Sequence, residues 1–179
     1  SSLSTENWSR PPEEVQFLLN FNEKMLLERQ DELHERNVRI RFIGRRNRQV
    51  LKRRIRRMEE AENLTKKNTG LTFTIAFNYG GRAEIVDAVK QIVDTGMSST
   101  RITEKTINRY LYDSTIPDPD LVIRTSGEYR VSNFLLWEIA YSELVFSEVL
   151  WPDFRRENLF TAIKEYQDRD RRYGGVSET

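Results

Sequence analysis

Two arginines, Arg124 and Arg130, lie six positions apart in the sequence. Arginine suits the binding of a phosphorylated group, because its planar guanidinium binds phosphate oxygens through paired, charge-assisted hydrogen bonds. Further hydroxyl and backbone donors nearby belong to Ser126, Gly127 and Ser132. Two arginines at this spacing are more often ordinary surface charges, so their position in the fold has to decide between the two interpretations.

The residues around these arginines predict their place in a fold. The run LVIRT at 121–125 is short, apolar and β-branched, which indicates a buried strand. The arginines then follow the carboxyl end of that strand, where open α/β sheets bind their ligands. Ser132 is predicted to cap a helix over 132–140, whose free amides would extend the anion site. Because residues 134–139 are apolar, the segment predicts an amphipathic site for a diphosphate and a hydrocarbon.

Glu143 stands next to the apolar run 144–146. A carboxylate in such surroundings has to be paired, protonated or bound to a metal. Magnesium in proteins typically joins one or two carboxylates to the phosphates of a substrate. We therefore expect Glu143 to be a ligand of a divalent cation.

The composition narrows the class of protein. The chain has 179 residues, of which 37% are hydrophobic, and this suits one globular domain with a sizeable core. Its 29 basic and 28 acidic residues nearly cancel, which argues against a dedicated nucleic-acid-binding protein. The basic run 45–57 keeps RNA or anionic lipid binding open as an alternative, but a solvated helix face is the simpler interpretation.

Missing residue types exclude several chemistries. The sequence has no cysteine, so it has neither disulfides nor thiolate chemistry. Its one histidine, His34, lies among charged residues, and a histidine-based catalytic triad or zinc site is excluded. No apolar run approaches the length of a membrane span and no signal peptide is visible, so we expect a cytoplasmic protein.

Helical and strand patterns alternate along the chain. Strands are predicted at 38–43, 71–78, 121–125 and 144–147. Helices are predicted at 12–36, 50–67, 83–94, 103–112, 132–140 and 156–170. This alternation predicts one α/β domain over 1–179, with a mainly parallel central sheet flanked by helices. The first helix has a wide apolar face, which suits either burial on two sides or a wall of a hydrocarbon tunnel.

Five motifs occur in a characteristic order: STENW at 4–8, NYGGR at 78–82, DLVIRTSGEYRVSNFLLWEIAYSELVF at 120–146, LWPDF at 150–154 and RRYGG at 171–175. Together they resemble the cis-prenyltransferases, in particular the bacterial undecaprenyl and decaprenyl diphosphate synthases. The resemblance implies a homodimer that uses Mg²⁺ to condense isopentenyl diphosphate with an allylic, farnesyl-type diphosphate. The product would be a Z-polyprenyl diphosphate, a lipid carrier for cell-wall glycans, and peripheral membrane association would follow from it.

The resemblance also implies roles for single residues. Arg124, Arg130 and Ser132 would hold isopentenyl diphosphate, and Glu143 would bind Mg²⁺. Asn7 would be catalytic, with a part in proton abstraction. The substrate-binding residues implied for the loop beside the catalytic centre and for a C-terminal element that reaches across the dimer are Ser4, Trp8, Arg10, Arg172 and Gly174.

Two departures from the family pattern stand at the start of the chain. Leu3 replaces the aromatic residue usual before STENW, and an apolar strand followed by D-G-N-G-R-W is missing. In the family that block supplies a metal-binding aspartate and the arginines for the allylic diphosphate. We therefore expect the sequence to be N-terminally incomplete and these residues alone to be inactive. Two alternatives are a short-chain or branching Z-prenyl synthase and a non-catalytic partner subunit.

Overall fold

The computed structural model describes residues 1–47 and 50–169. The chain divides into two compact units, Ser1–Ser114 and Thr115–Thr179. Each unit contains parallel strands with helices packed beside them. The predicted α/β class with parallel strands is therefore confirmed, with the strands distributed over one sheet in each unit.

The sheet of the first unit is built from β1 (Leu3–Ser4), β2 (Arg39–Ile43) and β3 (Thr72–Tyr79). β3 is central and pairs in parallel with β1 on one side and β2 on the other. Its second half, 76–79, is buried, as expected for an apolar strand in the middle of a covered sheet. The motif NYGGR therefore begins in the interior of this unit.

The helices of the first unit are α1 (Pro12–Glu35), α2 (Lys52–Thr65), α3 (Gly81–Asp94) and α4 (Glu104–Tyr110). α1 starts where proline and acidic residues favour the first turn, as predicted. Side chains of α2 cover the outer edge of β2: the N–H of Ile40 donates to Thr65 Oγ1 and that of Phe42 to Glu62 Oε1, both at 2.9 Å. These bonds satisfy edge groups that would otherwise be unpaired.

Asn37 ends α1, as the sequence predicted. Its φ is 59°, in the left-handed region that asparagine tolerates better than most residues. Its N–H donates to the carbonyl of His34, and the N–H of Val38 donates to that of Leu33, both at 2.9 Å. This pair of bonds is a Schellman motif, which turns the chain directly from α1 into β2.

The core of the first unit lies between β1, β3, α1 and α2. Its buried apolar cluster consists of Leu3, Val15, Leu19, Val50, Met58 and Phe77. Trp8, in the turn between β1 and α1, packs against this cluster. The core therefore supports the segment that carries the motif STENW.

The second unit contains β4 (Leu121–Arg124), β5 (Glu143–Phe146) and α5 (Arg156–Gln167). β4 and β5 pair in parallel, with Leu121 opposite Glu143 and Arg124 opposite Phe146. α5 packs on both strands. The predicted strand at LVIRT is thus confirmed over Leu121–Arg124, with Arg124 as its last residue, but its residues are half-buried and not buried as predicted.

The helix predicted at 132–140 is wrong: this segment is a series of turns. Ser132, Asn133 and Leu135 have φ of 47°, 61° and 45°, which a right-handed helix cannot contain. Ser132 is therefore not a helix N-cap, and no row of helical amides extends the anion site there. Within residues 1–47 and 50–169, no helix combines the length and apolar character needed to span a bilayer.

Candidate active site

The motif STENW forms a 3-10 helical turn, Thr5–Ser9, between β1 and α1. The N–H of Ser4 donates to Oδ1 of Asn7 at 2.8 Å, and the N–H of Arg10 donates to the Asn7 carbonyl at 3.1 Å. These bonds fix Asn7 from both ends of the turn. Because its Oδ1 is engaged inside the turn, a ligand would meet Asn7 chiefly through its Nδ2 donor.

Trp8 is hydrogen-bonded to a residue at the carboxyl end of β3. Its indole Nε1 donates to Oδ1 of Asn78 at 2.7 Å. Asn78 is fully buried. The sequence did not predict it as a site residue, because glycines are the residues of NYGGR that are typical of an anion-binding turn. The available signal was an asparagine placed directly between an apolar strand and a Tyr-Gly-Gly turn.

Arg10 lies at the exposed entrance to α1. Its guanidinium forms an ion pair with Glu14, one helical turn further on, and about half of the arginine side chain is exposed. An exposed pair of this kind contributes little to stability. Arg10 is therefore free to exchange Glu14 for a phosphate at little cost to the fold.

The glycines of NYGGR form a packed junction rather than an open loop. Gly80 precedes α3 in extended conformation, Gly81 is its first residue, and both are buried. Beside them the hydroxyl of Tyr79 donates to Glu84, which also accepts the N–H of Tyr112 at 2.9 Å.

A charged cluster joins the turn after β2 to α3. Arg45 donates to both carboxylate oxygens of Asp87 at 2.7 and 2.8 Å, and the hydroxyl of Tyr112 donates to the same carboxylate at 2.6 Å. The hydrogen bond from Arg45 holds the pKa of Asp87 below its ordinary value, and burial raises that of Tyr112. The cluster is a rigid clamp in the folded unit.

Five arginines among the described residues of the basic run 45–57 form ion pairs. Arg54 is buried, with its Nε 3.1 Å from Glu23. The other pairs are Arg45–Asp87, Arg46–Glu59, Arg46–Glu62, Arg56–Glu60 and Arg57–Glu60. These ion pairs offset the positive charge of the arginines, which favours the simpler interpretation of the run over RNA binding.

Arg124 is the best-placed phosphate-binding candidate of the second unit. It is the last residue of β4, and its carbonyl accepts the N–H of Ser147 at 2.7 Å. Its Nε is buried and has no hydrogen-bond partner. A buried donor without a partner costs free energy, and a bound anion would supply the acceptor.

Residues 126 and 127 form a left-handed turn after Arg124, with φ of 72° and 65°. Their N–H groups donate to the carbonyls of Val149 and Ser147 at 2.9 and 3.0 Å. The expectation that the amides of Ser126 and Gly127 face an anion is therefore wrong, because they hold the turn together. The exposed hydroxyl of Ser126 is a separate donor.

Arg130 and Ser132 are exposed. Arg130 forms an ion pair with Glu128, and 66% of its side chain is accessible to solvent. The structure thus places Arg124 and Arg130 in different environments, one partly buried at a strand end and one on a surface turn. A ligand would have to draw Arg130 away from Glu128.

Glu143 begins β5 and is paired with an arginine. Arg169 Nη1 donates to its Oε2 at 2.8 Å and to the carbonyl of Leu144 at 2.9 Å, and the hydrogen bond to Glu143 raises the pKa of Arg169. In the part of the chain that the structure describes, no three histidine, cysteine, aspartate or glutamate side chains form a metal cluster. The predicted role of Glu143 as a magnesium ligand stays a prediction.

Arg172 and Gly174 lie outside the described residues, so their predicted roles stay predictions. Ser4, Asn7, Trp8 and Arg10 are brought together around one turn. Arg124, Ser126, Arg130 and Ser132 follow one another in the turns after β4, and Glu143 opens the neighbouring strand. Each unit therefore contributes its own set of predicted site residues.

Comparison with known proteins identifies the family. Residues 2–174 match the family described as "Putative undecaprenyl diphosphate synthase". A trans,polycis-polyprenyl diphosphate synthase, (2Z,6E)-farnesyl diphosphate specific, from Thermobifida fusca is 52% identical over 98% of this chain. The chain therefore belongs to the undecaprenyl diphosphate synthase family, and the resemblance to the cis-prenyltransferases is confirmed.

Solved structures agree with this assignment. A probable undecaprenyl diphosphate synthase from Campylobacter jejuni is 32% identical with a TM-score of 0.87, covering 97% of this chain and 81% of that one. Lavandulyl diphosphate synthase from Lavandula x intermedia, in complex with dimethylallyl diphosphate, is 33% identical with a TM-score of 0.92, covering 97% and 77%. The chain spans 63% of the length of the Thermobifida fusca relative.

Proposed function

We propose that this protein condenses isopentenyl diphosphate with an allylic, farnesyl-type diphosphate to make a Z-polyprenyl diphosphate. Membership of the family supports the reaction class. The structural observation that carries the proposal is the buried, unpartnered Nε of Arg124 at the carboxyl end of β4. A diphosphate oxygen would satisfy that donor and take up the charge of the guanidinium.

The reaction needs two diphosphates handled differently. The allylic C–O bond breaks and its electron pair leaves with pyrophosphate, while the double bond of isopentenyl diphosphate attacks the allylic carbon. We assign the isopentenyl diphosphate to Arg124, Arg130 and Ser132. Their donors would hold its diphosphate while its own C–O bond stays intact. Once bound in this way, the diphosphate would hold the reacting double bond of isopentenyl diphosphate in one orientation.

We assign magnesium to Glu143. The carboxylate would leave Arg169 to bind the ion, which supplies charge neutralisation to the diphosphate when bound. The side chain of Arg169 is 31% exposed and also pairs with Glu165. Arg169 would therefore keep one ion pair after Glu143 leaves it. Magnesium dependence is therefore a proposal that follows from the donor type and from the family.

The turn with Ser4, Asn7, Trp8 and Arg10 is assigned to the reacting end of the substrates. The condensation releases one proton from the carbon chain of isopentenyl diphosphate, and this proton needs an acceptor. The carboxamide of Asn7 is neutral, so it would orient the proton transfer to a diphosphate oxygen rather than keep the proton. Arg10 would exchange Glu14 for a phosphate oxygen.

The growing hydrocarbon is assigned to the apolar face of α1. Phe17, Phe21 and Met25 are exposed on successive turns of this helix, and the rings of Phe17 and Phe21 stack at 6.3 Å. The resemblance to the cis-prenyltransferases assigns Leu71, which is 70% exposed, to the far end of the hydrocarbon tunnel. Because α1 starts directly after the Asn7 turn, a chain whose diphosphate lies near that turn could extend along the helix.

Further proposals concern assembly and location. We propose a homodimer in which Arg172 and Gly174 complete the partner's site. We also propose a cytoplasmic protein that associates peripherally with the membrane, since its product is a lipid carrier for cell-wall synthesis. The exposed Leu51 beside Lys52 and Arg53 offers an apolar and basic contact for anionic lipid.

The test is an assay of the full-length protein, including any residues that precede this sequence, with radiolabelled isopentenyl diphosphate and Mg²⁺, and with (2Z,6E)-farnesyl diphosphate or its all-trans isomer as primer. We expect labelled polyprenyl diphosphates that disappear with Arg124→Gln. Short or branched products would favour the first alternative. Binding of isopentenyl diphosphate without turnover would favour a partner subunit, and neither binding nor turnover by a cooperatively folded protein would refute the proposal.

A further inference from the structure

We propose that Asn78 is a positioning residue that holds Trp8, and through it the Asn7 turn, on the end of β3. The contact joins residues 70 positions apart in the sequence, with Trp8 Nε1 donating to Asn78 Oδ1 at 2.7 Å. The importance of this link for catalysis rests on the proposed function, which assigns the Asn7 turn to the reaction. The link itself depends only on the fold of the first unit.

Asn78 has a backbone conformation that few residues adopt. Its φ is 51° and its side chain is fully buried. Residues other than glycine rarely have positive φ, and asparagine is among the few that are enriched there. Such a conformation persists only where the surroundings determine it strongly, and it occurs often at functional sites. The surrounding structure therefore fixes the backbone conformation at the carboxyl end of β3.

Both ends of the Asn78 carboxamide are used. Its Oδ1 accepts from Trp8, while its Nδ2 donates to the carbonyl of Arg45 at 2.7 Å and lies 3.4 Å from Oδ1 of Asn47. Aspartate would keep the acceptor but lose the donor, and glycine would keep the conformation but lose both. Asparagine is thus the one side chain of the three that meets every requirement of this position.

The support beneath Asn78 is rigid. The N–H of Arg45 donates back to the carbonyl of Asn78 at 3.0 Å, so backbone and side chain both bind the turn after β2. The guanidinium of Arg45 is in turn fixed by Asp87, which also accepts from Tyr112. A continuous path of hydrogen bonds therefore leads from α3 to the indole of Trp8.

Trp8 transmits this rigidity to its neighbour Asn7. The indole is half-buried against the apolar core, and its N–H would have no acceptor there without Asn78. Loss of the bond would let the indole leave its position and would loosen the turn that holds Asn7. We expect the chemical step to suffer more than substrate binding, because a small misplacement of a catalytic group is costly.

The link is tested by proton–nitrogen correlation spectra of the 179-residue chain. Its three tryptophans give three indole signals, and the one that Trp8→Phe removes belongs to Trp8. We expect Asn78→Gly to move that signal upfield and to speed its exchange with deuterium, with the other two unchanged. Asn78→Asp, which keeps the acceptor, should restore the hydrogen-bonded signal.

The matched control is Asn37→Gly. Asn37 is also a left-handed asparagine of the first unit, and its side chain bonds to Thr69 rather than to Trp8. We expect this variant to lose stability without moving the Trp8 signal. A Trp8 signal that stays in place in Asn78→Gly, or that moves equally in Asn37→Gly, would overturn the proposed link.

The positioning role is tested by kinetics of the active protein. We expect Asn78→Gly to lower kcat about tenfold or more with KM for isopentenyl diphosphate almost unchanged, and Asn78→Asp to recover part of the loss. A displaced Trp8 signal with undiminished kcat would overturn the role. If the full-length protein with unaltered Asn78 transfers no prenyl group, the proposed function and this role both fall, while the spectra of the 179-residue chain still decide the link.

Discussion

At the residue scale, the two arginines that appear equivalent in the sequence are different in the structure. Arg124 ends a strand and has a buried donor without a partner, whereas Arg130 lies on the surface and pairs with Glu128. Both were predicted as phosphate ligands from their residue type, their place after a predicted strand and the resemblance to the family. Burial of a single nitrogen atom depends on packing around the strand end, which spacing does not reveal.

Replacing Arg124 with lysine should therefore cost more than the same change at Arg130. Lysine keeps the charge but loses the planar fork, and a lost hydrogen bond to a charged group is worth about tenfold or more in affinity. We expect KM for isopentenyl diphosphate to rise by that factor in Arg124→Lys and by less in Arg130→Lys. Initial rates measure this, with Arg156→Lys on exposed α5 as control. Equal effects of all three changes would contradict the assignment.

Asp87 should make the stability of the first unit depend on pH. Its pKa in the folded state is lowered from 3.8, first by the hydrogen bond from Arg45. The stabilisation is therefore complete above the unfolded pKa and is lost as pH falls towards the folded one. We expect Asp87→Asn to flatten the fall in free energy of unfolding below about pH 5, measured by urea denaturation. An unchanged slope would contradict the clamp.

At the element scale, most helices and strands were predictable because apolar periodicity and end signals agree. α1 begins at prolines and ends at Asn37, and β4 coincides with LVIRT. The segment 132–140 was predicted wrongly because its apolar residues suit a helix, whereas its backbone forms local turns with N–H of Ile139 bonded to Leu135. Composition does not report a left-handed residue such as Leu135.

Gly44 should be the least replaceable glycine of the first unit. Its φ is 121°, and a Cβ there would lie 2.0 Å from the carbonyl oxygen of Phe77. Gly96 also has positive φ but nothing within 4 Å of a Cβ, so it is the matched control. We expect Gly96→Ala to cost about 1–2 kcal/mol and Gly44→Ala clearly more, measured by urea unfolding. Similar losses would show that β2 and β3 can separate at little cost.

At the scale of the whole molecule, the unpredicted part of the site consists of long-range contacts. Trp8 meets Asn78 across 70 positions, and Arg45 meets Asp87 across 42. Motifs identified the residues that bind substrate in the family, but the groups that hold them lie in other motifs or outside any motif. The hydrogen-bond network between the Asn7 turn and α3 therefore depends on the pairing of β1, β2 and β3, which the motifs do not report.

The sequence left open whether the apolar face of α1 is a wall of a hydrocarbon tunnel or is buried in the protein. A substitution on this face distinguishes the two hypotheses. If the hydrocarbon lies on this face, Phe21→Gln should shorten the products, since each added isoprene unit would lose apolar contact worth about 25 cal/mol per Å². Val93→Gln on α3 is the control, at an apolar position that is 66% exposed against 51% for Phe21. Product lengths are measured by chromatography after dephosphorylation. Reduced stability of Phe21→Gln with unchanged product lengths would instead show that α1 is covered by protein.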